Sequence, residues 1–342
     1  MKFALDDEQR LFGNTLDKLL SGSGVPDTGR AWAAGEHARG IALWRALAEA
    51  GVFALAVPES AGGLGVLPVE LVTAFRAVGA HGVPGPYAET VAAACLLARL
   101  TPAGGWLPGI TQGTTVASVA IPPDVPYALD ADAADVVLAV DGRTLRHGVP
   151  AAMRPSLDPA RRLFTVTPGD VLASVTSADV TAAYDLGVLA CAAQLSGIGE
   201  RLLAVTVEYA KTRQQFGRPI GEFQAVKHHL ANAFVALEYA RPLVYGAALA
   251  YGTADFSREA SAAKAATADA TYLASRIGLQ VHGAIGYTDE YDPSLLIRKA
   301  RALRGAWGAP SAHKARVLSS LSGGGTDSPS HVLAKSNIAI CE

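Results

Sequence analysis

The sequence predicts a mainly α protein with a small central β domain, and three observations carry that expectation. Apolar residues recur at helical spacing over roughly residues 5–100 and again from residue 179 to about 310. Between these regions lie short runs rich in Val and Thr, bounded by Pro, Asp and Gly as strands are. Half of the 342 residues are hydrophobic and only 18% are charged, enough to build a large buried core and against global disorder. The implied organisation is a helical region over 1–112, a reduced β domain over 113–178, a helical bundle over 179–320 and a tail over 321–342. The tail is expected to be flexible from the Gly- and Ser-rich run at 322–330.

Residues 5–20 read as a helix, with Asp6 and Asp7 near its start, where the helix dipole favours anions. A second pattern, 41–50, places Ile41, Trp44, Leu47 and Ala48 on one face. Phe53 to Val57 is an apolar run, and Pro58-Glu59-Ser60-Ala61-Gly62-Gly63-Leu64-Gly65 after it signals a tight loop. Gly63-x-Gly65 lacks the third glycine and the strand–helix frame of a dinucleotide fingerprint, so a Rossmann site is rejected. Residues 68–80 and 87–100 continue as helices, separated by Pro84 and Pro86. Strands are expected over 114–121, 134–140, 163–167 and 171–176. Leu195, Ile198, Leu202, Val205 and Tyr209 then share a helix face, as do Phe223, Val226, Leu230, Phe234, Leu237 and Val244. With two further helices over 256–280 and 293–303, an antiparallel four-helix bundle is the economical arrangement.

Several function classes recede. A formal net charge of −2 gives no electrostatic reason to expect nucleic acid. Cys95, Cys191 and Cys341 are too few and scattered for a disulfide frame or zinc site, and read as reduced thiols in a cytoplasm. Asp6, Asp7 and Glu8 argue against a signal peptide, and the absence of an uncharged apolar run of about 18 residues argues against a membrane span. No His and carboxylate cluster has metal-ligand spacing. Arg298, Lys299, Arg301 and Arg304 form a basic cluster, read as a solvated helix face or as a site for phosphates or an acidic partner.

Two stretches stand out. In Thr212-Arg213-Gln214-Gln215-Phe216-Gly217-Arg218-Pro219-Ile220-Gly221-Glu222-Phe223-Gln224 the chain must turn, because Gly217, Pro219 and Gly221 do not continue a helix cheaply. Arg213 enters the turn as a planar permanent cation suited to a pyrophosphate, and Phe216 is apolar support for a flat ring; alone, the same residues also fit a solvated helix connection. In Gln280-Val281-His282-Gly283-Ala284-Ile285-Gly286-Tyr287, Gly283 and Gly286 admit close backbone approach and Gln280 offers an amide, although a glycine-capped helix end reads the same way.

Taken together, the first stretch resembles the FAD-binding signature of the acyl-CoA dehydrogenase family, and Val57-Pro58-Glu59 with Gly62-Gly63-Leu64-Gly65 resembles a loop of that family's N-terminal domain. The second stretch is similar to the family's Gln-x-x-Gly-Gly-x-Gly segment, with Ala284 in place of the second glycine. The resemblance implies a three-part fold, FAD as cofactor, oxidation of acyl-CoA to 2-enoyl-CoA, an oligomer, and an electron-transfer flavoprotein as acceptor. It implies that Arg213, Gln215, Phe216, Gln280 and Gly283 contact a flavin seated mainly on the neighbouring subunit.

Desaturation needs a base within reach of the α-proton, and in the family a Glu serves. The usual position of that Glu falls on Trp307 here, and its alternative position falls on Gly187. Asp185, two residues from the latter, is the best local substitute, although an Asp there more commonly starts a helix. The resemblance is therefore closest to the short, base-lacking subunits of actinobacterial heterotetrameric acyl-CoA dehydrogenases, whose longer partner carries the Glu. A self-sufficient homo-oligomer using Asp185, and a non-catalytic scaffold, are the alternatives.

Overall fold

The computed structural model describes residues 4–100 and 105–323. Its N-terminal region is built from α1 (Asp7–Ser21), α2 (Val25–Ala33), α3 (Ala38–Glu49), α4 (Pro68–His81), α5 (Tyr87–Arg99) and the short α6 (Leu107–Thr111). Asp6 caps α1 through a reciprocal capping box with Gln9, at 2.8 and 3.1 Å. Between α3 and α4, β1 (Ala56–Val57) pairs antiparallel with β2 (Gly65–Val66) and closes the Pro-Glu…Gly-Gly-Leu-Gly loop. Trp44 stacks on Phe53 and packs tilted against Tyr87 in the buried core of this region, with ring centroids 4.2 and 4.6 Å away.

A five-stranded sheet follows: β3 (Ala117–Ala120), β4 (Ala128–Leu129), β5 (Val136–Asp141), β6 (Thr144–Arg154) and β7 (Leu163–Ser174). Its spatial order is β3-β5-β6-β7-β4, parallel between β3 and β5 and antiparallel elsewhere. Two strand expectations need correcting. The runs 163–167 and 171–176 are one strand, because Pro168-Gly169-Asp170 is absorbed as an irregularity in the β6–β7 ladder rather than forming a turn. Their partner β6 was not anticipated: Gly148 and Pro150 mask it, and its outer half lacks the alternation of a half-buried strand.

The C-terminal region consists of α7 (Ser177–Thr212), the hairpin β8 (Gln214–Gln215) with β9 (Arg218–Pro219), α8 (Gln224–Leu249), α9 (Phe256–His282), α10 (Pro293–Gly305) and α11 (Pro310–Leu321). A Thr176–Asp179 capping box starts α7. α7 is the spine: it packs on α4 and α5 on one side and on α8, α9 and α10 on the other. One hydrophobic core therefore runs from the N-terminal helices through β3 and β5 into α7, and a smaller core lies between α8 and α9 around Leu237, Ala274 and Ile277. By length and composition α7 could cross a membrane, but 72% of its most apolar window is buried inside this fold. Helix α11 continues to Leu321, one residue into the expected tail; residues 324–342, with Cys341, lie outside the described residues.

Candidate functional site

Two places in the fold gather the residues singled out above. The first is the end of the bundle where α7 stops and α9 stops. Arg213 is the C-cap of α7, its backbone leaving the helix in an extended conformation with its N–H on the Tyr209 carbonyl at 2.8 Å. The next residues form the β8–β9 hairpin, with Phe216 and Gly217 at its tip, both at positive φ (54° and 79°). A left-handed Phe is uncommon and costs of order 1 kcal/mol or more, yet its ring is 91% exposed. It touches Phe223 edge-on at 6.1 Å, while Arg218 lies over the Phe223 ring at 4.3 Å. Arg213 and Gln215 are also exposed, and among the described residues no carboxylate pairs with Arg213.

Gln280 lies in the last turn of α9, exposed, and Gly283 ends that helix at φ 65°, ψ −139°, where a side chain would be strained. The ring of His282 packs 4.5 Å from that of Tyr209, one turn before Arg213, and this contact brings the two sequence motifs to one end of the bundle. Nδ1–H of His282 donates to the Gly278 carbonyl at 2.7 Å; its Nε2 is buried with no protein partner, and burial holds the ring below the usual histidine range. His282 is thus a packing residue within the motif. An unpaired guanidinium, an exposed amide, an exposed aromatic ring and an open backbone turn form a donor set that fits the diphosphate and a flat ring of FAD.

The second place is a cleft of about 290 Å³ between the sheet and the α10–α11 connection, lined among others by Glu89, Asp124, Tyr127, Leu157, Arg161 and Trp307. Trp307, where the resemblance puts a Glu, is buried in a left-handed conformation (φ 57°). Its carbonyl accepts from Tyr184 Oη at 3.1 Å and from His313 Nε2–H at 2.8 Å. Lys264, fully buried, donates to the carbonyls of Arg304 (3.1 Å) and Gly308 (3.3 Å) on either side. Burial lowers the Lys264 ammonium, and burial with the nearby Lys264 charge lowers His313 to about 4.

Gly187 sits directly beneath that indole, in the interior of α7. Both family positions for the base are therefore filled by one packed pair with no carboxylate. Asp185 needs correction on two counts. It lies eight residues inside α7 rather than at a helix start, because Thr176 supplies the cap. Its carboxylate is also taken by Arg316 Nη1 and Ser257 Oγ and does not line the cleft. The basic cluster disperses as well: Lys299 pairs with Asp158 (2.8 Å), Arg298 with Asp289 (2.8 Å) and Arg304 with Asp269 (3.1 Å), leaving Arg301 over the Tyr272 ring.

Sequence reasoning missed Glu89. It is 3% exposed, accepts from Trp307 Nε1–H at 3.2 Å and lies 3.9 Å from Arg161 Nη2. Burial pushes its carboxyl up, against the opposing pull of the Arg161 cation. No local signal marks it, since its indole partner is 218 residues away.

Matches to the acyl-CoA dehydrogenase C-terminal domain over residues 180–321 and to the N-terminal domain over residues 6–113 flank the sheet. The chain belongs to the acyl-CoA dehydrogenase family, whose members bind FAD. It is 32% identical over 298 residues to the acyl-CoA dehydrogenase IpdE2 of Mycobacterium tuberculosis, covering 86% of this chain and 91% of that one. Its fold is similar to that of the ChsE4-ChsE5 complex from Mycobacterium tuberculosis (TM-score 0.81, 22% identity, 94% of this chain and 99% of that one). It is also similar to a variant of the Tcur3481-Tcur3483 steroid ACAD (TM-score 0.83, 23% identity, 94% and 99%).

Proposed function

We propose that this chain is one subunit of a heteromeric FAD-dependent acyl-CoA dehydrogenase whose longer homologous partner carries the catalytic Glu. The observation that carries the reading is the left-handed, 91% exposed Phe216 beside an unpaired Arg213, on a chain whose two base positions are Trp307 and Gly187. Exposure of a strained aromatic ring is unfavourable in an isolated chain and favourable once a neighbour covers it.

FAD, when bound, supplies the hydride acceptor for desaturation between Cα and Cβ. In this reading Arg213 neutralises the diphosphate, Phe216 supports the ring system, and Gln215, Gln280 and the open turn at Gly283 position the remainder. The partner's Glu removes the α-proton. Sterol side-chain CoA thioesters are the substrate class we place first, supported by the steroid ACAD among the similar folds, and an electron-transfer flavoprotein is the acceptor. A cytoplasmic setting belongs to the same reading, consistent with the free, buried Cys95 and Cys191.

A second reading rests on Glu89. A buried carboxyl raised by its surroundings on a cleft wall has the attributes of a general base, so a self-sufficient enzyme would use Glu89 rather than Asp185.

Purification alone and after co-expression with a Glu-bearing homologue separates the two. The first reading expects bound flavin and acyl-CoA oxidation only from the co-expressed complex, with flavin lost on Arg213→Ala. Flavin-loaded, active protein from this chain alone, silenced by Glu89→Gln, would establish the second. Full flavin occupancy in the Arg213→Ala complex would reject the first.

A further inference from the structure

Arg161 is a nearly buried cation without a close partner. Its side chain is 11% exposed, its nearest carboxylate oxygen is Glu89 Oε1 at 3.9 Å, beyond hydrogen-bond distance, and no other described side chain bonds to its guanidinium. A guanidinium carries five donors, and the Arg161 nitrogens, which no described side chain engages, keep contact with the open cleft rather than being sealed from solvent. On one side Arg161 borders a void of about 10 Å³, room for roughly one water. On the other it lines the cleft of about 290 Å³. That cleft is otherwise largely apolar, walled by Val125, Leu129, Leu157, Leu163 and Trp307.

We propose that this cleft is a receptor for a small organic monocarboxylate: the carboxylate closes on the Arg161 fork and the apolar body lies against Trp307, Leu157 and Leu163. The planar fork matches two carboxylate oxygens, and an apolar pocket with one convergent charge is the usual form of a small-molecule site. Glu89 and Asp124 also line the cleft, Glu89 Oε1 lying 3.9 Å from Arg161 Nη2. Burial raises both carboxyls, which weakens their competition for Arg161. The inference does not depend on the heteromer, since it uses neither flavin nor partner.

Calorimetric titration of the purified full-length chain with cyclohexanecarboxylate and with cyclohexylmethanol tests it. The acid is expected to bind one per chain and at least tenfold more tightly than the alcohol. Arg161→Gln is expected to reduce the acid to the level of the alcohol, and Leu157→Trp, at the exposed rim, to weaken both by filling the cleft. Equal binding of acid and alcohol, no binding of either, or undiminished acid binding in Arg161→Gln would overturn the proposal. Should Arg161→Gln fail to fold, the acid-to-alcohol ratio of the unaltered chain and the effect of Leu157→Trp decide the matter.

Discussion

The indole of Trp307 rests on the bare Cα of Gly187: a methyl group at residue 187 would stand 2.3 Å from the nearest indole carbon. These are the two positions at which the family resemblance places a catalytic carboxylate, and in this chain each residue requires the other. The small residue makes room for the large one.

Gly187→Ala should therefore destabilise the chain by about 1–3 kcal/mol through overpacking, although Ala is the better helix former. In a Trp307→Gly background the same substitution should become neutral or slightly stabilising. Urea unfolding of the four variants in a double-mutant cycle measures the coupling; additive effects would mean that the two residues do not share the space.

Phe216→Gly relaxes the left-handed residue and removes an exposed ring. The isolated chain should gain up to about 1 kcal/mol in urea unfolding, while flavin retention by the heteromer falls. A variant that loses stability in isolation would show that the ring already packs within its own subunit.

Asp185→Ala leaves Arg316 with no carboxylate partner beside a buried site. The expected loss is about 3–5 kcal/mol, seen as a lower urea midpoint, with no effect on the turnover of whatever complex still assembles. Loss of turnover at unchanged stability would restore Asp185 as a candidate base.

Asp130 gives the fold a pH dependence of definite sign. Burial pushes its carboxyl up to about 7, so the folded chain retains a proton that the unfolded chain has released. Its contribution to stability is greatest below about pH 4 and is lost as pH rises through about 7. His313, held down at about 4, has the opposite slope between about pH 4 and 6.5, so the contrast between native chain and variant isolates the carboxyl. Asp130→Asn keeps an acceptor for the Arg162 N–H and tolerates φ 50°, and the variant should be more stable than the native chain at pH 8 and nearer to it at pH 5. Melting temperatures at the two pH values check this.

Much of the fold was legible because its signals are local. The Asp6 cap, the Trp44–Leu47 face and the periodicity from Leu195 to Tyr209 each declare a helix within a few turns. Helix α2 was not anticipated, since Pro26, Asp27 and Gly29 read as loop residues and its first turn relies on Gly24 in a left-handed conformation. Helix α11 was not resolved as an element either, because two residues of its inward face, Pro310 and His313, are not recognisably apolar-periodic. The turn after Arg213 is readable from Gly and Pro spacing, whereas the β8–β9 pairing within it and the cleft are not. Glu89, Arg161 and Trp307 converge from three distant parts of the chain, and only tertiary packing makes them neighbours.

Gly187 lies in the first third of the 36-residue helix α7 and Arg213 caps its far end, 26 residues on. At 1.5 Å per residue that is roughly 39 Å of stiff lever. A tilt of about 3° pivoting at the indole would swing the far guanidinium by roughly 2 Å, about the difference between a closed and a broken ion pair. Any tilt of α7 pivoting at the indole would therefore be felt most at Arg213, the residue proposed to hold a dinucleotide.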